Sequence, residues 1–204
     1  LWKTFFEDLN HEIVISPPTT RAILDAGVKE AVNDACIPIK LYHGHVAYLA
    51  DKADYIFCPR LVSVRKHGDF GTETFCPKFL GLPDMIRFGI DHLPEIIDTR
   101  VDLKKGKKEL FNVFCEIGSQ IGNTHEEIKR AFSKALKVQK QFYNLLYQEI
   151  LPPEAMDIVF NHKPAQVSHD NCDLTIAIIG YPYVLYDSYI NAGLIRLLEK
   201  ENVK

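Results

Sequence analysis

Three cysteines of the chain stand next to or near a proline, in the short sequences "CIP" at Cys36, "CPR" at Cys58 and "CPK" at Cys76. Thiolates are soft ligands that suit iron–sulfur clusters and zinc. A cluster fixes the positions of all its irons, so its ligands must be held rigidly. A neighbouring proline restricts the local backbone and leaves one fewer amide to satisfy. These thiols are therefore the residues best suited to metal or redox chemistry.

The other two cysteines are expected to be small buried hydrophobes. Cys115 lies in an amphipathic helical pattern, and Cys172 precedes an apolar run. Cys58 closes an apolar strand, so both core packing and metal ligation remain open for it. The chain has no Cys-x-x-Cys pair and no zinc-finger spacing, so a shared metal site would have to be assembled by the fold. A paired-thiol redox enzyme that uses Cys36 and Cys76 also remains open.

Other chemistries find little support in the sequence. No glycine-rich phosphate loop follows a predicted strand, and no nucleophile elbow is present. His43 and His45 are two residues apart in a helical pattern, which points them to different sides. No catalytic acid or base is indicated.

The composition is that of an ordinary soluble protein. Of 204 residues, 47% are hydrophobic and 25% are charged, which allows one large domain or two small ones. No segment is long and apolar enough to span a bilayer, and no signal peptide is visible, so we expect reduced thiols in a cytoplasm. The net charge of −3 argues against a nucleic-acid partner, and the lysine run at 104–108 is typical of a solvated helix start. The oligomeric state stays open.

Strand patterns alternate with helical patterns along the chain. Strands are predicted at Glu12–Ser16 and in the segments "ADYIFCPR", "EIIDTRVD" and "DLTIAIIG". Helical patterns lie between them, with short helices expected to end at Gly27 and at Cys36, and with Pro83 in a first turn. A capping box at Thr124 and Glu127 predicts the start of the longest helix, which the prolines at 152 and 153 should stop. The pattern predicts an α/β domain with a mainly parallel sheet flanked by helices, whose sites collect at the carboxyl ends of the strands.

Five segments in order, "SPPTT", "DACIPIKLYHGHV", "DYIFCPRLVSV", "FCPKFLGLPDMIR" and "IIGYPYVLYDSYIN", span nearly the whole chain. Together they resemble the domain related to 2-hydroxyacyl-CoA dehydratase subunits, which is found alone or fused behind the ATP-dependent activases of those enzymes. The resemblance implies a flavodoxin-like α/β fold. It also implies a four-iron (4Fe-4S) cluster on three cysteines.

By motif order, Cys36 and Cys76 match the first two cluster ligands of that family. The third is then expected past Lys204, with Cys58 as the substitute within the chain, so residues 1–204 alone are expected to hold the cluster incompletely or not at all. Both chain ends read as cuts through a longer protein, and residues 173–204 as the start of a further β-α unit or second domain behind a cysteine-bearing part at 1–172. The candidates to offset the negative charge of the cluster or of a phosphate are three cations, Lys40, Arg60 and Lys78.

The resemblance also implies a reaction. In the dehydratases, an activase hydrolyses ATP to drive one strongly reducing electron onto the cluster, which passes it to an acyl-CoA that then loses water. The chain departs from the family in reading Gly-Tyr-Pro-Tyr where Gly-His-Pro-Tyr is common, with Tyr181 in place of the imidazole, and in having Cys58 where an aliphatic residue is expected. Two alternatives stay open: a non-catalytic electron-transfer or assembly module of the activase system, and a plain α/β binding domain with structural cysteines.

Overall fold

The computed structural model describes residues 1–64, 74–162, 174–201 and 203 of the chain. Among them, a single 3-10 turn lies at Leu103–Lys105. The helices and strands of these residues are, in chain order, α1 (Trp2–Asp8), α2 (Arg21–Glu30), α3 (Ile37–Leu49), β1 (Tyr55–Phe57), β2 (Arg60–Ser63), α4 (Pro77–Leu80), α5 (Leu82–Gly89), β3 (Glu95–Ile97), β4 (Arg100–Asp102), α6 (Lys107–Gln120), α7 (His125–Leu146), α8 (Pro152–Asn161), α9 (Pro182–Tyr186) and α10 (Leu194–Lys200).

The chain divides into two compact units. The first comprises Leu1–Pro17 and Arg21–Ala135, and the second comprises Pro18–Thr20 and Leu136–Lys204. The first unit contains β1 to β4. In the second unit, the Thr19 hydroxyl donates a hydrogen bond to the Asp187 carboxylate, so two of the sequence segments that carried the resemblance contact each other.

The strands of the first unit are parallel, as the sequence predicts. β1 pairs with β3 from Tyr55 opposite Glu95 to Phe57 opposite Ile97, and β2 pairs with β4 with an irregularity between Leu61 and Ser63. Between the two pairings, the Cys58 N–H donates to the carbonyl of Ile97 and the Arg60 N–H to that of Thr99. Residues 55–63 therefore run beside residues 95–102 as one interrupted parallel ladder.

Helices cover both faces of this ladder. Successive strand residues point to opposite faces. Ile56 belongs to an apolar cluster with α3 and α5 residues such as Ile39 and Ile86. Phe57 contacts the rings of Trp2 and Phe6 in α1, with ring centroids 4.8 and 5.1 Å apart. This arrangement confirms the α/β class and the flanking helices.

Two glycines bring α2 and α3 into direct backbone contact. A Cβ added to Gly27 would lie 1.8 Å from the carbonyl oxygen of Lys40, and one added to Gly44 would lie 1.9 Å from that of Ile23. Gly27 therefore lies inside α2, which runs on to Glu30, and the prediction that it ends the helix is wrong. The predicted second helix into Cys36 is also wrong, because α2 ends at Glu30 and residues 31–36 are not helical, with a turn at residues 33–34.

Two predicted strands are absent from the described residues. Glu12–Ser16 has no ladder partner, and Ile15 is 65% exposed. An open cleft of about 570 Å³ is lined by both this segment and β1, which leaves that edge of β1 without a paired strand. Of the predicted strand at 173–180, residues 174–180 are described, and they form only an isolated bridge between Leu174 and Val203. The sequence pattern correctly identified apolar segments in both places, but a segment forms a strand only where the edge of another strand is available for pairing.

The helical hairpin of α6 and α7 closes the first unit. Thr124 and Glu127 form the predicted capping box, in which the Glu127 carboxylate accepts from the Thr124 N–H at 2.8 Å. Phe114 and Ile117 of α6 are fully buried, as expected from the amphipathic pattern. α7 ends at Leu146, before the prolines at 152 and 153, which begin α8 instead of stopping α7. Within the described ranges, every helix is too short or too polar to cross a membrane.

Candidate functional site

Cys36 and Cys76 occupy the same structural position in two different helices. Each is the residue immediately before a helix, with extended backbone angles: φ −68° and ψ 159° for Cys36 before α3, and φ −62° and ψ 154° for Cys76 before α4. Each helix carries a proline at its first or second position, where its missing N–H costs no helical hydrogen bond. Both cysteines are exposed. The prolines noted in the sequence therefore fix helix starts behind accessible thiols.

Cys76 is positioned by the end of β2. The N–H of Phe75 donates to the carbonyl of Val62 at 2.9 Å, which ties the residue before Cys76 to the strand. The Phe75 ring also contacts the ring of Phe79 in α4, with centroids 4.7 Å apart. Cys76 therefore lies near the carboxyl end of a parallel strand, where the sequence analysis expected functional residues.

The segment of Cys36 contacts the segment of Cys76. The Lys78 ammonium donates to the carbonyl of Asp34 at 2.6 Å, which links a residue two positions after one cysteine to a residue two positions before the other. Ala35 is buried in the same apolar cluster as Leu82 at the start of α5. Neither thiol is sealed in the interior, and the two segments are neighbours in the first unit.

Cys58 is in a different environment. It is fully buried in the cluster with Ile56 and Ile86, and its Sγ accepts a hydrogen bond from the Tyr42 hydroxyl at 3.2 Å. Burial raises the pKa of the Cys58 thiol above its ordinary value, and the Tyr42 hydrogen bond offsets this in part. Burial also raises the pKa of Tyr42 well above its ordinary value. The pair is thus a neutral thiol and a neutral phenol that fill the core.

The three candidate cations all have partners in the protein. Arg60 makes a bidentate ion pair with Asp84 at 2.7 and 2.9 Å, reaches Asp98 at 3.2 Å, and donates to the Leu80 carbonyl. The hydrogen bond that Arg60 donates to the Asp84 carboxylate is the main cause that holds the pKa of Asp84 below its usual value. Arg60 therefore ties β2 to the start of α5 and to the β3–β4 connection.

The two lysines hold the turn before Cys36. Lys40 donates to the carbonyl of Asn33 at 3.0 Å, next to the Asp34 carbonyl that Lys78 binds. Consecutive peptide carbonyls thus receive the two ammonium groups. Both ammonium groups therefore already have hydrogen-bond partners in the protein, beside the segment of Cys36.

Cys115 lies on a different element from Cys36 and Cys76. Cys115 is half-buried on α6, with its Sγ 3.8 Å from Nδ1 of His125, and Cys172 lies outside the described residues. His43 is buried, and its Nδ1 bonds to the carbonyl of Ile39 at 2.8 Å.

Sequence reasoning missed two buried polar pairs. Tyr42 binds Cys58 from 16 positions away, and Ser63 donates to the Asp102 carboxylate at 2.5 Å where β2 and β4 end. No local spacing signals either pair. The sequence hinted at the first pair only through an aromatic residue, Tyr42, within the helical pattern of α3. It hinted at the second only through a serine, Ser63, at the end of an apolar strand.

The described part of the chain contains no group of three His, Cys, Asp or Glu side chains that could together hold a metal ion. Clusters are held by cysteine sulfurs with room beside them for the irons, and Cys36 and Cys76 are the two cysteines of the described residues that are exposed. The described residues therefore offer two ligands of the implied set. Cys58 would have to leave the core and lose its bond to Tyr42 to supply a third.

One family matches the chain. It is described as the CoA enzyme activase uncharacterised domain, and the match covers residues 1–204. No curated protein and no solved structure matches the sequence. Because the match spans the entire chain, the protein belongs to the family of CoA enzyme activase uncharacterised domains.

Proposed function

We propose that this domain is a cysteine-bearing component of a CoA enzyme activase system, in which Cys36 and Cys76 are two thiolate ligands of a four-iron cluster. The observation that carries the proposal is the shared geometry of the two residues. Both are exposed, both precede a proline-containing helix start, and their segments contact each other through Lys78 and Asp34. The proline-fixed starts would keep the two thiolates from reorienting, as cluster ligation requires.

When bound, a cluster supplies one-electron chemistry, and the protein tunes it through its ligands and surroundings. Cys36 and Cys76 would bind it, and the ammonium groups of Lys40 and Lys78 would lie close enough to its segments to offset negative charge. Arg60 would affect the cluster only indirectly, because its ion pair with Asp84 holds α5 against the strands. We infer that the electron comes from an ATP-dependent activase and is used to reduce or dehydrate an acyl-CoA-like substrate.

We also propose that the fold is flavodoxin-like. Support comes from the parallel crossover in which α4 and α5 connect residues 55–63 to residues 95–102, with helices on both faces. Right-handed crossovers of this kind build doubly wound sheets.

Anaerobic reconstitution with iron and sulfide tests the proposal. With a small added thiol to complete the ligand set, the wild-type protein should bind iron and sulfide and gain broad visible absorbance, and Cys36→Ser or Cys76→Ser should abolish most of both. Cys115→Ser is the matched control, because Cys115 is also partly accessible but lies on α6. Equal iron binding by all four proteins would exclude Cys36 and Cys76 as ligands and favour a binding domain with structural cysteines.

An electron-transfer experiment distinguishes a component that converts an acyl-CoA from a non-catalytic electron-transfer or assembly module. Reduction of the reconstituted protein by an activase with ATP should be followed by a spectral change when an acyl-CoA is added. Reduction without any response to acyl-CoA would favour an electron-transfer or assembly module that does not bind the substrate.

A further inference from the structure

Lys78 makes the side-chain hydrogen bond that joins the two cysteine segments. Its Nζ lies 2.6 Å from the carbonyl oxygen of Asp34, a residue 44 positions earlier in the chain. Lys40 binds the adjacent carbonyl of Asn33, but that contact stays within the segment of Cys36. The two lysines thus present the same group to the same turn, and only the Lys78 contact crosses to the segment of Cys76.

The segment of Cys76 has little buried surface, and its packing lies at the end of the helix, where Phe79 contacts the apolar cluster and the Leu80 carbonyl accepts a hydrogen bond from Arg60. α4 is four residues long, and none of its residues is buried. Before the helix, the Phe75 N–H is bonded to Val62, which holds one side of Cys76 to the strand. The Lys78 contact restrains the other side. Cys76 therefore lies between two tethers, one to β2 and one to the turn before Cys36.

The segment of Cys36 is anchored independently. Ala35 is buried in the apolar cluster, and α3 behind Cys36 is a 13-residue helix with five buried residues. Loss of the Lys78 contact should therefore loosen the start of α4 relative to the turn before Cys36, while Phe79 and Leu80 still hold the end of the helix and the segment of Cys36 stays in place.

We propose that Lys78 is a positioning residue that fastens the Cys76 segment to the turn before Cys36 and so sets the separation of the two thiols. We call this hydrogen bond between Lys78 and Asp34 the latch. Its relevance to metal binding rests on the proposed function, whereas the latch itself forms in the protein without metal. Lys78 then acts on the site through Asp34, and its main role differs from the charge compensation expected from the sequence.

A bifunctional thiol reagent tests the latch without metal. Dibromobimane becomes fluorescent when it links two thiols, and a background of Cys115→Ser with Cys172→Ser leaves buried Cys58 as the only other thiol. In this background the reagent should join Cys36 to Cys76, and Cys36→Ser should abolish the signal. Lys78→Met, which keeps the length of the stem, should slow cross-linking about fivefold, because an exposed charged contact shifts a local equilibrium by roughly that factor.

Lys40→Met is the matched control. It removes an ammonium group from the adjacent carbonyl, and the cross-linking rate should stay at the background value. Both methionine variants should keep the thermal midpoint of the background protein, and labelling of each thiol by a monofunctional bimane should be unchanged, which excludes a general loss of structure.

An unchanged rate in Lys78→Met, or an equal fall in Lys40→Met, would overturn the latch, as would a background protein that forms no cross-link. Reconstitution is scored separately. Failure to bind iron with the latch confirmed would reject the cluster alone, and iron binding with an unchanged cross-linking rate would reject the latch alone.

Discussion

The Tyr42 hydroxyl donates a hydrogen bond to the Cys58 sulfur across 3.2 Å inside the apolar cluster beneath the β1–β3 pair. Both groups are held in their neutral forms by burial, so the core contains two acids whose pKa values are raised. This separates Cys58 from Cys36 and Cys76, which are exposed at helix starts. The three cysteine–proline sequences look alike, yet one thiol belongs to the core and two to the surface.

The buried pair should make stability fall in alkaline solution. An acid whose pKa is raised by folding ionises first in the unfolded chain, so its contribution to stability is complete below the ordinary pKa and is lost as the pH rises above it. For Cys58 that loss begins near pH 9, at a slope of up to about 1.4 kcal/mol per pH unit for each proton. Urea unfolding from pH 7 to 10.5 should show a steeper decline for wild type than for Cys58→Ala. Identical slopes in the two proteins would contradict the buried, neutral thiol.

Thiol labelling should follow the same division. Cys36 and Cys76 should react quickly with a thiol reagent under native conditions, whereas Cys58 should react only when the protein unfolds, because no solvent reaches it. Mass spectrometry of the labelled peptides measures each site. Fast labelling of Cys58 in the folded protein would show that the core opens readily, and would make it a credible third ligand.

The contact between α2 and α3 should not tolerate a methyl group at either glycine. Gly27→Ala and Gly44→Ala should each lower the free energy of unfolding by about 1–3 kcal/mol, although alanine favours helices, because the added Cβ would overlap a backbone carbonyl. Gly81→Ala is the control, since its Cβ would meet its nearest neighbour at 3.4 Å. Denaturant unfolding that ranks Gly81→Ala as the most damaging of the three would refute this packing.

Arg60 should matter for stability more than for iron. Arg60→Met should lower the free energy of unfolding by about 1–2 kcal/mol, because a bidentate pair within a network is worth more than an isolated surface pair. Arg21→Met, which removes a more exposed ion pair, should have little effect. Iron bound per folded molecule should match wild type. A fall in iron without a fall in stability would return Arg60 to the role of compensating cluster charge.

Features set by neighbouring residues were predicted well from the sequence. The capping box needs only Thr124 and Glu127 three positions apart, and the helix start at Pro83 follows from the fixed φ of proline, whereas the short helix that begins at Pro77 was not predicted. The parallel pairing of β1 with β3 was also predictable, because a helical segment lies between two strand patterns.

Features that depend on distant residues were not predictable. Gly27 looked like a helix end, but Lys40 approaches it so closely that only glycine fits within the helix. Likewise, the apolar pattern at residues 12–16 could not reveal that no strand pairs with it. The candidate site shows the same limit. Spacing singled out three cysteines, and only the contacts of Tyr42 and Lys78 separated the buried one from the exposed pair.

The joint role of Cys36 and Cys76 is tested most directly by electron paramagnetic resonance of the reconstituted, reduced protein. We predict an iron–sulfur signal in wild type and in Cys115→Ser, and its loss or a clear change of its g values in both Cys36→Ser and Cys76→Ser. An unchanged signal in these two variants, or a signal that only Cys58→Ser removes, would contradict ligation by the exposed pair.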